Sequence, residues 1–187
     1  MANTNPVKVA MIGVGAISGI YLKNITNVFK EVELVGVCDL IPERAEKGVQ
    51  TVKEYIEAGA KAPVPKIYKD MYEAFNDPEV EVVLNLTRPY EHYGVTKAAL
   101  EHGKHVFSEK PLAADMEEGD ELVALAEEKG LLMSGAPDKV DVQQLDELQP
   151  GEVRLTGGES GILLGQDKLE LTGAVRINGQ TLESIIT

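Results

Sequence analysis

The sequence predicts an α/β fold: a doubly wound, mostly parallel sheet over residues 1–138, followed by a short β-rich segment over residues 139–187. Three observations carry this prediction. From Val7 to Pro137, short runs rich in Val and Ile alternate with stretches of helical period. Those short runs are largely apolar, as strands covered by helices on both faces are. After Asp138 the alternation stops, and the chain turns glycine-rich without an aromatic, a histidine or a cysteine.

Strands are expected at Lys8–Gly13, Glu33–Asp39, Lys66–Tyr68, Val80–Leu86, His105–Glu109 and Leu131–Ser134. Helices are expected between them at Ile17–Phe29, Pro42–Ala58, Met71–Asn76, Glu91–His102 and Met116–Lys129. Ile17, Ile20, Ile25 and Val28 mark an apolar stripe along the first helix. Pro42 suits the first turn of the second, where a missing N–H costs nothing, and Glu43 complements the helix dipole. Asp70 and Asp115 are expected N-caps, and Gly103 and Gly130 are expected left-handed caps after helices. Such alternation makes right-handed β-α-β crossovers.

In the remainder, Gln149-Pro150-Gly151 breaks the pattern, and a linker is expected over Lys139–Gly151. Strands are expected at Glu152–Thr156, Gly161–Leu164, Lys168–Thr172 and Ala174–Ile177, separated by Gly-Gly, Gly-Gln-Asp and Asn-Gly turn signals.

With 187 residues, 43% of them hydrophobic, the chain can build one well-packed domain and a small appendage. The net charge of −13 repels phosphate backbones and anionic lipid, so neither nucleic acid nor a membrane is an expected partner. Cys38 stands alone in an apolar run, which excludes an internal disulfide and reads as a buried small hydrophobe. His102 and His105 flank Gly103-Lys104 as helix-end and strand-start residues, and no metal site is expected. No apolar run reaches the ~20 residues of a membrane span, and the first residues lack a signal peptide's regions. A cytoplasmic protein is the expectation.

The first strand runs into Gly13-Val14-Gly15-Ala16-Ile17-Ser18-Gly19 and then a helix. Gly13 permits a tight turn, Gly15 lets a pyrophosphate approach the backbone, and Ser18 is small enough for close helix–strand packing. The amides opening the helix, at Ala16 and Ile17, point at phosphates, and the helix dipole favours their charge. Asp39 ends the second strand, where its carboxylate can accept bonds from the adenosine ribose hydroxyls. A 2′-phosphate would meet like charge there, and Leu40 follows rather than an arginine. NAD is therefore expected and NADP disfavoured, on a dinucleotide-binding Rossmann sheet.

Three further stretches resemble the glucose–fructose oxidoreductase and inositol dehydrogenase family over residues 6–138. These are Asn85-Leu86-Thr87-Arg88-Pro89-Tyr90-Glu91-His92, Gly103 to Ala113 with its Glu109-Lys110-Pro111 core, and Gly135-Ala136-Pro137-Asp138. The resemblance implies an NAD-dependent oxidoreductase that moves hydride between a carbohydrate hydroxyl and the nicotinamide. It places Thr87, Arg88 and Pro89 along the cofactor cleft and Glu109 beside the cofactor. Lys110 would lie next to the nicotinamide as the catalytic cation, stabilising the alkoxide character that grows at the substrate oxygen. Pro111 would aim Lys110, with a cis bond unsurprising. His92 belongs among these residues, chiefly as one that orients the loop.

The family continues into a second α/β domain that supplies the substrate pocket, usually the oligomer interface, and an acid/base histidine. Residues 139–187 are too few to build it and contain no histidine. The expectation for this chain is NAD binding with little or no turnover, in a truncated or chimeric sequence. The competing reading is a non-enzymatic NAD-binding module whose β-rich tail makes contacts, a homo-oligomer among them. Gly157 to Gly179 faintly resembles the repetitive β segments of phage tail and baseplate proteins; a small meander on the first domain, or a plain extension, is the alternative.

Overall fold

The computed structural model describes residues 5–136 and, beyond them, the strand residues 163–165, 168–170, 176–177 and 180–181. The chain divides into two compact units, Met1–Ala136 and Pro137–Thr187.

In the first unit six strands form one parallel sheet: β1 (Val7–Ile12), β2 (Val32–Cys38), β3 (Lys66–Ile67), β4 (Val82–Asn85), β5 (His105–Ser108) and β6 (Met133–Gly135). Their spatial order is β3-β2-β1-β4-β5-β6. The helices are α1 (Ser18–Asn27), α2 (Pro42–Glu57), α3 (Met71–Asn76), α4 (His92–Glu101) and α5 (Met116–Lys129), with a 3-10 turn at Pro89–Glu91. The Rossmann sheet expected from the sequence is the one observed.

The period of two along β1 builds both cores. Val9 and Met11 pack with Leu22 and Ile25 of α1 and with Val49 and Val52 of α2. Ala10 and Ile12 join Phe75, Val95, Leu100 and Leu122 on the opposite face. Leu100 and Leu122 are wholly buried, and a side chain of that kind contributes about 1.5–3 kcal/mol by leaving water. Strand order reverses between β1 and β4, so the helices that follow these strands lie on opposite faces. A crevice therefore opens beyond the carboxyl ends of those two strands.

The local signals act as their chemistry requires. Asp70 and Asp115 cap α3 and α5 by accepting from the Glu73 and Glu118 amides at 2.8 and 2.9 Å. Gly103 and Gly130 take φ values of +75° and +64° after their helices. Pro42 opens α2 with Glu43 in its first turn, and Cys38 is buried.

One expectation fails. The stripe Ile17, Ile20, Ile25 and Val28 is not the buried face of α1: Ile17, Ile20 and Val28 are 44–49% exposed. The buried residues are Ser18, Leu22, Ile25 and Thr26. The tight glycine turn brings Ser18 inward, and the inward face then follows at Leu22 and Ile25, one and two turns on.

The second unit contains two antiparallel pairs, β7 (Leu163–Gly165) with β8 (Lys168–Glu170) and β9 (Arg176–Ile177) with β10 (Gln180–Thr181). The Gly-Gln-Asp and Asn-Gly signals include residues 166–167 and 178–179, which lie outside the described residues. The described strand residues overlap the expected 161–164, 168–172 and 174–177, and β10 carries too little pattern to be read in advance. The expected strand Glu152–Thr156 and linker Lys139–Gly151 lie outside the described residues. Among the described residues, no helix is long and apolar enough to cross a membrane.

Candidate dinucleotide-binding site

Apart from His92, which opens α4, every residue singled out as a site residue lies at the carboxyl ends of β1, β2, β4 and β5 or in the turns that follow them. The two glycines of the first turn do different work. Gly13 has φ +95°, and a Cβ there would stand 2.6 Å from the Leu86 carbonyl oxygen. Its missing side chain lets the β1 turn sit against the β4 turn, while its amide donates to the Cys38 carbonyl at 2.8 Å. Around Gly15 no atom lies within 4 Å of a built Cβ, so this glycine faces open space. Ser18 is buried, and its hydroxyl donates to the Gly15 carbonyl at 2.7 Å.

Gly15, Ala16 and Ile17 lead directly into α1, whose first turn holds no acidic side chain. Ala16 and Ile17 are exposed. An uncapped, positive helix end beside open space suits a pyrophosphate, and the residues present therefore fit a dinucleotide.

Asp39 does more than the sequence suggested. One carboxylate oxygen accepts from the Val14 amide at 2.7 Å and the other from the Ile41 amide at 2.8 Å. It ties the end of β2 to the glycine turn, and each oxygen keeps a second lone pair for a hydroxyl donor. Arg44 Nη1 stands 4.0 Å from it, a cation that inspection of position 40 alone missed. Leu40 projects almost wholly into solvent, 97% exposed.

On the other side of the crevice a buried polar network shapes the turn after β4. Asn85 donates from Nδ2 to the His92 carbonyl and the Thr96 hydroxyl, both at 3.0 Å. Its Oδ1 accepts from the Thr87 hydroxyl at 2.6 Å and from the Thr87 amide at 3.3 Å. Arg88 and Pro89 are exposed. Arg88 donates to the Tyr90 hydroxyl at 2.7 Å, and that bond, with the fields of Tyr90, Glu91 and Asp39, raises its pKa further. His92 is 1% exposed. Its ring nitrogens meet the Pro111 carbonyl at 2.6 Å and the Thr87 carbonyl at 3.1 Å, so it touches the walls of the cleft and not its interior.

At the end of β5 the Glu109 amide donates to the Asn85 carbonyl at 2.9 Å. The Glu109 carboxylate accepts from the Tyr21 hydroxyl at 2.6 Å and from the Lys110 amide at 3.2 Å. Burial, then the Glu109 carboxylate, push the Tyr21 phenol well above its ordinary range. Lys110 is exposed, and its bond to Pro111 is cis. Tyr21 and Asn85 were not singled out from the sequence. Tyr21 sits one residue past Ile20, itself read as part of the apolar stripe, and Asn85 was legible only as a polar residue ending a buried strand.

The description "Oxidoreductase family, NAD-binding Rossmann fold" matches residues 7–136. An inositol 2-dehydrogenase/D-chiro-inositol 3-dehydrogenase of Lactiplantibacillus plantarum is 36% identical over 115 residues, which are 62% of this chain and 30% of that protein. An inositol 2-dehydrogenase of Salmonella paratyphi B is 33% identical over 127 residues, 68% of this chain and 35% of that one. The solved NAD binding oxidoreductase from Klebsiella pneumoniae superposes with a TM-score of 0.59 at 26% identity, covering 70% of this chain and 34% of its own. This chain thus spans about a third of the length of the relatives it matches. With its glycine turn, its acidic residue at the end of β2 and its sheet order, the chain belongs to the oxidoreductase family with the NAD-binding Rossmann fold.

Proposed function

We propose that residues 1–138 form the cofactor-binding domain of an NAD-dependent dehydrogenase acting on hydroxyl groups of sugars or polyols. The observation that carries this reading is the pairing of open space at Gly15 with an uncapped α1 N-terminus, facing Asp39 across the β1 turn. Gly15, Ala16 and Ile17 would hold the pyrophosphate. The spare lone pairs of Asp39 would receive the adenosine ribose hydroxyls, which favours NAD over NADP. Thr87, Arg88 and Pro89 line the far wall, and Glu109, held by Tyr21, borders the nicotinamide end. NAD supplies a hydride acceptor. Lys110 would donate a hydrogen bond to the reacting hydroxyl oxygen and steady the negative charge that grows there as the hydroxyl proton leaves to solvent water. A separate proton acceptor typically adds ~10²–10⁴-fold.

A second reading is a module that binds NAD without turning over. The two separate in one assay: the purified chain is given NAD with a panel of inositols and aldoses while NADH is followed. Turnover abolished by Lys110→Ala supports the dehydrogenase reading. NADH binding with no turnover on any alcohol supports the module.

A further inference from the structure

Gly48 lies in the middle of α2, where glycine is less favourable than alanine because it has more backbone freedom to lose. The packing explains the choice. Gly48 is buried with Ala45, Val49 and Val52 on the face that α2 turns inward. A Cβ built on it would stand 2.8 Å from Val14 Cγ1 and 3.7 Å from Leu22 Cδ1. The missing side chain leaves a notch in the helix, and Val14 fills it.

Val14 stands between the two glycines of the first turn and is held at two points. Its amide donates to Asp39 Oδ2 at 2.7 Å, and its buried side chain sits in the notch. Both holds lead to α2, because the other Asp39 oxygen accepts from the amide of Ile41, the residue before Pro42. Gly13 and Gly15 carry the conformational freedom of glycine on either side. The two holds on Val14 therefore set the direction in which the chain leaves for Gly15, Ala16 and Ile17. A valine is stiff about its single torsion, so a methyl group at position 48 displaces Val14 itself and not a flexible end.

We infer that Gly48 is a positioning residue for the phosphate turn: its notch in α2 seats Val14 and so fixes the backbone of Gly15, Ala16 and Ile17. This rests on the proposed cofactor site, whose pyrophosphate those three residues would hold. Gly48 acts through Val14 and does not touch the cofactor. It keeps populated the form of the turn that binds, and apparent affinity falls with that population.

The test is a double-mutant cycle on the full chain, with wild type, Gly48→Ala, Val14→Ala and the variant carrying both. Fluorescence titration gives the NADH affinity of each, and thermal melts confirm that each is folded. Hydrogen exchange followed by NMR reads the protection of the residue-14 amide in the ligand-free proteins. In the wild-type background Gly48→Ala is expected to weaken NADH binding roughly tenfold and to speed exchange of that amide. In the Val14→Ala background the same substitution changes neither, because the shorter side chain leaves room for the added methyl group. A general loss of stability has no reason to depend on residue 14 in this way. Unchanged NADH affinity in Gly48→Ala overturns the inference, and so does an equal loss in both backgrounds. A wild type that binds no NADH fails the cofactor reading instead. Exchange of the residue-14 amide then still decides the role of Gly48: equal protection in wild type and Gly48→Ala overturns it.

Discussion

Asp39 shows how much one carboxylate can hold. Val14 is buried and its amide donates to Asp39, so Asp39→Ala leaves a buried donor unmatched, at a cost of about 1–3 kcal/mol. Denaturant unfolding should record that loss, with Asp39→Asn, which keeps an acceptor, losing less. The same geometry predicts that Asp39→Ala weakens NADH binding without creating NADPH binding, since the phosphate turn loosens as the like charge is removed. Titrating both cofactors against the variant checks it, and a gain for NADPH would be the contrary result. At this scale the sequence was readable for Gly13, Gly15 and Asp39, because strand–turn–helix context constrains what such residues do. It was unreadable for Tyr21 and Arg44, whose partners lie on other elements: Tyr21 meets Glu109 across the cleft, and Arg44 approaches Asp39 from α2.

Among the elements, β2 and the turn after α3 give two measurable consequences. Burial, with Asp70, Asp39 and Glu73 adding to it, pushes the Cys38 thiol up to about 11. The thiol is therefore protonated and enclosed at neutral pH. Alkylation by a thiol reagent should be negligible in the folded protein and fast in denaturant, as mass spectrometry would show.

Asp77 behaves oppositely. The Lys66 ammonium, the Glu79 amide and the Tyr68 hydroxyl bond its carboxylate and hold its pKa at about 2, against an ordinary 3.8. Because the folded value lies below the unfolded one, this contribution is complete above the ordinary value and fades as pH falls toward the folded one. Stability measured by urea unfolding should decline across that window in wild type and decline less in Asp77→Asn. Element type and order were legible from apolar runs and caps. The inward face of α1 was not, because it is set by where the glycine turn places Ser18, a tertiary constraint that overrides the apolar count along the helix.

For the molecule as a whole, the reversal of strand order between β1 and β4 is what turns separate motifs into a site. The sheet brings Gly15, Asp39, the Thr87 turn and Glu109 to one edge, although they lie far apart in sequence. That convergence was legible because the α/β alternation admits few topologies. The short strands of the second unit were less so: at two or three residues each they carry little periodicity to read.

The central claim, that this edge binds NAD, separates the two glycines. Gly13→Ala puts a Cβ 2.6 Å from a carbonyl oxygen at φ +95°, and strain of this kind costs on the order of 1–3 kcal/mol. At Gly15 a side chain meets no protein atom within 4 Å, so Gly15→Val should keep the wild-type melting temperature while filling the space meant for the pyrophosphate. The most direct measurement is an NADH fluorescence titration of wild type and Gly15→Val, with thermal melts of both. Saturable binding by wild type and its loss in an equally stable variant are expected. Equal NADH binding by both proteins, or none by wild type, would contradict it.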